Sequence, residues 1–121
     1  MHFIHGITVA STDDDKRSLI ITLVGEVDKS MERALRSDLH KTLVRQRKGG
    51  VIIDLSGVDG IHKDVIHCIY TFLRDLAKDG IELIMVSNKK VAAAFTNEGY
   101  YNRFCWTDSI DKAKERLGIT D

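Results

Sequence analysis

The chain has 121 residues, 43% hydrophobic and 30% charged, with 18 basic and 18 acidic residues and a formal net charge of zero. That length suits one domain, residues 1–121, with a single core, and the composition is ordinary for a soluble protein. Balanced charge gives no reason to expect nucleic acid or an acidic membrane surface as a partner, and no apolar run approaches the roughly 20 residues that span a bilayer.

The opening residues, Met1 to Gly6, lack a basic region followed by a long apolar stretch, so no signal peptide is expected. Residues 2–10 alternate as a strand, with Phe3, Ile4, Ile7 and Val9 apolar. Ser11 to Lys16 reads as a solvated hairpin turn. Its carboxylates Asp13, Asp14 and Asp15 point in different directions and continue into no calcium-loop spacing. Leu19 to Val24 is a second apolar strand, followed by Gly25-Glu26-Val27-Asp28. Asp28 is placed to cap a helix running to about Arg47, with Met31, Ala34, Leu35, Leu39, Leu43 and Val44 at helical spacing. Arg45, Arg47 and Lys48 suit the negative end of that helix, and Gly49-Gly50 its C-cap.

Residues 51–55 form a β-branched run expected as a buried third strand. A polar, glycine-containing turn from Asp54 to Gly60 is expected next. From Val65, apolar residues recur at helical spacing (Ile69, Phe72, Leu73, Leu76), predicting a helix over 63–78 that ends at Asp79-Gly80. Residues 81–86 are a fourth strand, Asn88 caps a helix from Lys89 to Glu98, and Gly99 ends it. Phe104-Cys105-Trp106 reads as a short last strand. Asp108 is expected to cap a final helix carrying Ile110, Ala113 and Leu117. With no export signal, Cys68 and Cys105 are expected as reduced core thiols of a cytoplasmic protein. The order is ββαβαβαβα: an α/β fold with a mixed, mostly parallel sheet of 4–5 strands and about four helices.

The stretch Val51 to Ile66 resembles the signature of the STAS domain, the fold of bacterial anti-sigma factor antagonists. An apolar run, Asp54-Leu55-Ser56, apolar Val58 and a short spacer match it. Gly25-Glu26-Val27-Asp28 is a second match, and the helix ending in Gly99 a third. The helix start departs from the pattern. His62 stands where the family has Asp, Lys63 where it has the phosphorylated Ser or Thr, and Val65 where it has Gly. The resemblance therefore implies the fold but not the usual phospho-switch.

No nucleophile elbow, phosphate-binding glycine loop or Cys-x-x-Cys is present, so no catalytic residue is assigned. Asp64, His67 and Cys68 share one helix face at i, i+3 and i+4. The plainer reading puts Cys68 toward the apolar stripe with Asp64 and His67 beside it, and no metal or other cofactor is expected. The helix start is electropositive through its free N–H groups and dipole, a place where lysine is disfavoured and Asp64 partly compensates. His62 reads first as a plain surface histidine, with a pH-responsive group as the alternative reading. Ser56 and Thr71 are alternative phosphoacceptors that the sequence does not separate.

The resemblance implies a non-catalytic partner-binding domain. Its surface is drawn from Asp28, Ser56, Gly57, His62, Lys63, Asp64 and His67, with Lys63 the lost phosphorylation site. The implied partner is a kinase-like anti-sigma factor or related regulator, with no nucleic acid and no membrane insertion. Self-association as a homodimer through a sheet edge or helix face is compatible with the pattern but not required by it. Two other uses of the family stand beside this one. One is a small cytoplasmic subunit of a lipid-transport ABC complex. The other is a ligand or nucleotide sensor with a shallow polar site near Asp28, Ser56 and His62.

Overall fold

The computed structural model describes residues 2–4, 7–11, 18–45 and 50–118. In chain order these form β1 (His2–Ile4), β2 (Ile7–Ser11), β3 (Ser18–Val27), α1 (Glu32–Arg45), β4 (Gly50–Ile61), α2 (Lys63–Lys78), β5 (Glu82–Val86), α3 (Lys89–Asn97), β6 (Cys105–Thr107) and α4 (Ile110–Arg116). The six strands lie in sequence order in one sheet. β1–β2 and β2–β3 are antiparallel, and the three pairs from β3 to β6 are parallel.

The sequential order decides where the helices go. α1, α2 and α3 each join neighbouring parallel strands and advance in the same direction. Crossovers of one hand then place all three on one face. Their buried residues, among them Leu35, Leu39, Val65, Ile69, Phe72, Leu76, Val91 and Phe95, share a core with Ile21, Leu23, Val51, Ile53, Leu55 and Met85. α4 follows the last strand and is free of that constraint. It covers the other face, where Ala113 packs with Ile52, Ile84 and Val86. The period of two along β4 serves both layers: Val51, Ile53 and Leu55 face one way and Ile52 the other.

The α/β, mostly parallel architecture with four helices is as expected, and so is the antiparallel start. Several details differ. Residues 2–10 hold two strands rather than one, so the sheet gains a sixth strand, with Ile4 paired to Ile7. The expected turn at Asp54–Gly60 is instead the second half of β4, paired with β3 up to Val27–Ile61. It stays extended because Leu55 and Val58 point into the core while Ser56 and Asp59 point to solvent. Ten residues of β3 face twelve of β4, and register shifts near Val24 and between Gly25 and Glu26 absorb the mismatch. Gly25, on β3 beside the second shift, has φ +77°, a left-handed conformation that glycine adopts without a Cβ penalty. Asp28 caps a single 3-10 turn, Lys29–Met31, which leads into α1. α4 is capped by Ser109, whose hydroxyl accepts from Lys112 N, while Asp108 pairs with the Lys112 ammonium. Of the turn expected over Ser11–Lys16, Ser11 is the last residue of β2 and the rest lies outside the described residues; of the expected cap Gly49-Gly50, Gly50 is the first residue of β4 and Gly49 lies outside them.

Candidate functional site

The carboxyl ends of β3 and β4 lie side by side, since Val27 pairs with Ile61. The residues just after them, Asp28 and His62, are therefore neighbours at the carboxyl end of a parallel strand pair. A hydrogen bond from His62 N to Val27 O, 2.8 Å, fixes the junction. The Asp28 carboxylate accepts from Ser30 N at 3.0 Å and from the Ser30 hydroxyl.

His62 is the N-cap of α2. Its backbone is extended, and Nδ1 accepts from Asp64 N at 3.0 Å. Imidazole thus does the work a carboxylate does at a helix start, provided the ring is unprotonated at Nδ1. Lys63 is the first helical residue and is exposed. Its ammonium sits at the positive end of the helix dipole. Asp64 in the same turn offsets this, and lies 3.8 Å from Lys29 Nζ and 3.9 Å from His62 Nδ1. Asp28, His62, Lys63 and Asp64 thus form one polar rim.

The other candidate residues lie elsewhere. His67 is one turn along α2, where its Nδ1 is 2.9 Å from the Tyr100 hydroxyl. Ser56 is on the opposite sheet face. Its amide and hydroxyl both donate to Asp54 Oδ1, at 3.0 and 2.7 Å. Five strand residues separate it from His62, about 20 Å of extended chain. Gly57 sits beside Val24; a Cβ there would lie 3.2 Å from Val24 Cγ1. Val24 is 46% exposed, so this stretch of sheet is open to solvent.

Two residues with a bearing on the site had no functional signal in the sequence. β5 ends its pairing with β4 at Asp54–Val86, so the Ser56 and Val58 carbonyls have no strand opposite. Asn88 Nδ2 fills the gap, donating to Ser56 O at 3.1 Å and Val58 O at 2.9 Å, while Oδ1 caps α3 through Val91 N. Tyr100 orients His67 and packs on Tyr70, with ring centroids 4.8 Å apart. Helix-cap chemistry predicts half of the Asn88 role. Nothing local predicts the rest, because its partners are 30 and 32 positions away.

Asp64, His67 and Cys68 diverge: Asp64 toward Lys29, His67 toward Tyr100, Cys68 toward α1. Among the described residues no group of three His, Cys, Asp or Glu side chains could hold a metal ion. Burial pushes the Cys68 thiol above its ordinary pKa, against a hydrogen bond from Arg36. Cys68, Leu39 and Phe72 floor a groove of about 460 Å³ between α1 and α2, rimmed by Arg33, Arg36 and Asp75. A second, more open groove of about 710 Å³ lies between the start of α3 and α4, beside the Tyr101–Trp106 stack. No helix among the described residues is long and apolar enough to cross a membrane.

A search of curated proteins gives no match. Among solved structures 26 chains match. The unphosphorylated form of SpoIIAA, an anti-sigma factor antagonist and Bacillus cell-fate determinant, superposes with a TM-score of 0.75 at 13% identity, over 95% of this chain and 99% of that one. An anti-sigma factor antagonist from Mycobacterium paratuberculosis gives 0.75 at 19% identity, over 93% and 94%. A serine-to-glutamate variant of RsbS from Moorella thermoacetica gives 0.78 at 16%, over 93% and 94%. At such identities the likeness concerns the fold. The STAS domain family model matches residues 7–113, and the chain belongs to the STAS domain family.

Proposed function

We infer that this chain is a non-catalytic regulatory domain that binds a protein partner, in the manner of an anti-sigma factor antagonist. Its partner would be a kinase-like anti-sigma factor or a related regulator in the cytoplasm, met by the rim of Asp28, His62, Lys63 and Asp64. The solved structures it resembles include anti-sigma factor antagonists, one of them also in a phosphorylated form. The carrying observation is Lys63: exposed, first in α2, and without a hydroxyl to phosphorylate. An anionic phosphoryl group at a helix N-terminus gains from the dipole and remodels what a partner meets. Lysine supplies a fixed positive charge there. The domain is therefore fixed in one state at this position, as a constitutive binder or scaffold subunit.

The test is affinity capture of the tagged protein from its own cells, with wild type beside Lys63→Ser and Lys63→Glu, followed by phosphopeptide mapping after incubation with the captured kinase. A kinase-fold partner retained by wild type and lost with Lys63→Glu is the expected result, with phosphate appearing only in Lys63→Ser. Stoichiometric phosphate within residues 54–71 of the wild type would sink the idea of an unswitched site. Capture of a transporter ATPase in place of the regulator would move the chain to the lipid-transport use of the fold.

A further inference from the structure

Charge on α2 is segregated by face. Residues at i, i+4, i+7 and i+11 of a helix lie on one side, and here they are Lys63, His67, Tyr70 and Arg74. Lys63, His67 and Arg74 are exposed. The carboxylates beside them fall on the flank toward α1: Asp64 approaches Lys29, and Asp75 edges the groove held by Arg33 and Arg36. The segment after α3 widens the stripe. Tyr100 packs on Tyr70 with the rings tilted by 34° and hydrogen-bonds His67, and the Arg103 guanidinium lies over the Tyr70 ring, 5.9 Å from its centroid.

Among the described residues, Lys63, Arg74 and Arg103 take part in no ion pair. No described carboxylate neutralises their charge, in a chain whose net charge is zero. Lys63 also opposes the helix dipole, so its position favours something other than this chain's own stability. Tyrosine and arginine are the residues that anchor protein interfaces, and the hydrogen bond to His67 and the packing of the two rings hold both tyrosines in place beforehand.

We propose that this face takes an acidic segment of a protein partner. The partner's carboxylates would meet Lys63, Arg74 and Arg103, and an apolar or aromatic side chain would rest on the Tyr70–Tyr100 pair. The proposal rests on the reading of the α2 start as a partner surface, and extends that surface about 16 Å down the helix. A lipid surface fits less well: it would be met by inserted apolar side chains, and here the aromatic rings lie packed against one another.

The test uses isotope-labelled full chain titrated with two short synthetic peptides, one alternating Glu with Phe and Leu, the other with Lys in place of each Glu. The acidic peptide should shift resonances at residues 63–74 and 100–103, and the basic one should not. Its affinity should fall at least about 10-fold in Arg74→Glu/Arg103→Glu, and also with rising salt. Arg74→Glu alone, at an exposed helix position, keeps the test intact if the double variant folds poorly. Equal binding of both peptides, shifts elsewhere, no binding at all, or binding of anionic phosphatidylserine vesicles with no response to the acidic peptide would overturn the proposal. Acidic-peptide binding with no kinase-fold regulator captured leaves this face standing and removes the functional reading above. Capture of that regulator, with affinity unchanged by the two reversals, does the opposite.

Discussion

His62 Nδ1 accepts the Asp64 amide at 3.0 Å, so an imidazole caps α2 at the position where the STAS pattern has a carboxylate. His62→Ala removes the acceptor and leaves a first-turn N–H without its protein partner. A loss of about 1 kcal/mol in urea unfolding is expected. His62→Asp restores an acceptor and adds a favourable charge at the dipole, so it should recover stability to within about 0.5 kcal/mol of wild type. Equal losses in both variants would mean that the ring's packing, and not its cap, is what matters.

Asn88 holds a different junction. It replaces a missing strand for the Ser56 and Val58 carbonyls and caps α3 at once. Asn88→Ala loses a cap and two neutral hydrogen bonds, together roughly 2–3 kcal/mol. Asn88→Asp keeps the cap but turns a carboxylate oxygen toward two carbonyls. It should remain below wild type by about 1–3 kcal/mol, although aspartate is a good cap. Chemical denaturation of both variants, with amide exchange at Val58 to Ile61, checks the pair.

These two residues also show what the sequence could and could not reveal. α2 was legible to the residue, because Val65, Ile69, Phe72 and Leu76 repeat at helical spacing and Asp79-Gly80 breaks the run. The far half of β4 was not. Asp54, Ser56, Gly57, Asp59 and Gly60 carry turn composition, and only pairing with the long β3 makes them strand. Misreading that stretch as a loop drew Ser56 toward His62, whereas the strand puts it on the other face. The His67–Tyr100 contact, between residues 33 apart, depends on how α2 and α3 pack and leaves no local pattern.

Gly25 tests the bulge that lets β3 and β4 end together. A Cβ at this position meets nothing within 4 Å, so Gly25→Ala isolates the backbone cost of φ +77°. The expected loss is about 1–2 kcal/mol. Gly25→Asn should lose less, since asparagine enters the left-handed region more readily. If alanine is neutral, the strand reaches this register without the left-handed residue, and β4 would pair differently beyond Asp54.

The two thiols should behave unlike each other. Cys105 is half-buried in an edge strand, whereas Cys68 is 3% exposed under α1. With a disulfide-forming reagent at neutral pH, one thiol should react readily and the second only on unfolding, with peptide mapping placing the first at Cys105. Burial raises the Cys68 pKa in the folded state, so folding favours the protonated thiol. Its contribution to stability is complete below the unfolded thiol's pKa and declines as pH rises from there through the folded value. Cys68→Ala should flatten that alkaline decline; an unchanged pH profile would assign it to other groups.

Lys63 separates stability from function. Replacing an exposed cation at a helix N-terminus by an anion, Lys63→Glu, should stabilise the isolated domain by about 0.3–1 kcal/mol at low salt. Part of this is lost to repulsion from Asp64, and the gain should shrink as salt screens the dipole. Lys63→Ser should lie between the two. A variant that is more stable and binds its partner less well puts the lysine in the interface, because a merely structural residue would move both quantities together. If Lys63→Glu loses stability instead, Lys63 is engaged within the fold, and the partner surface must centre elsewhere on α2.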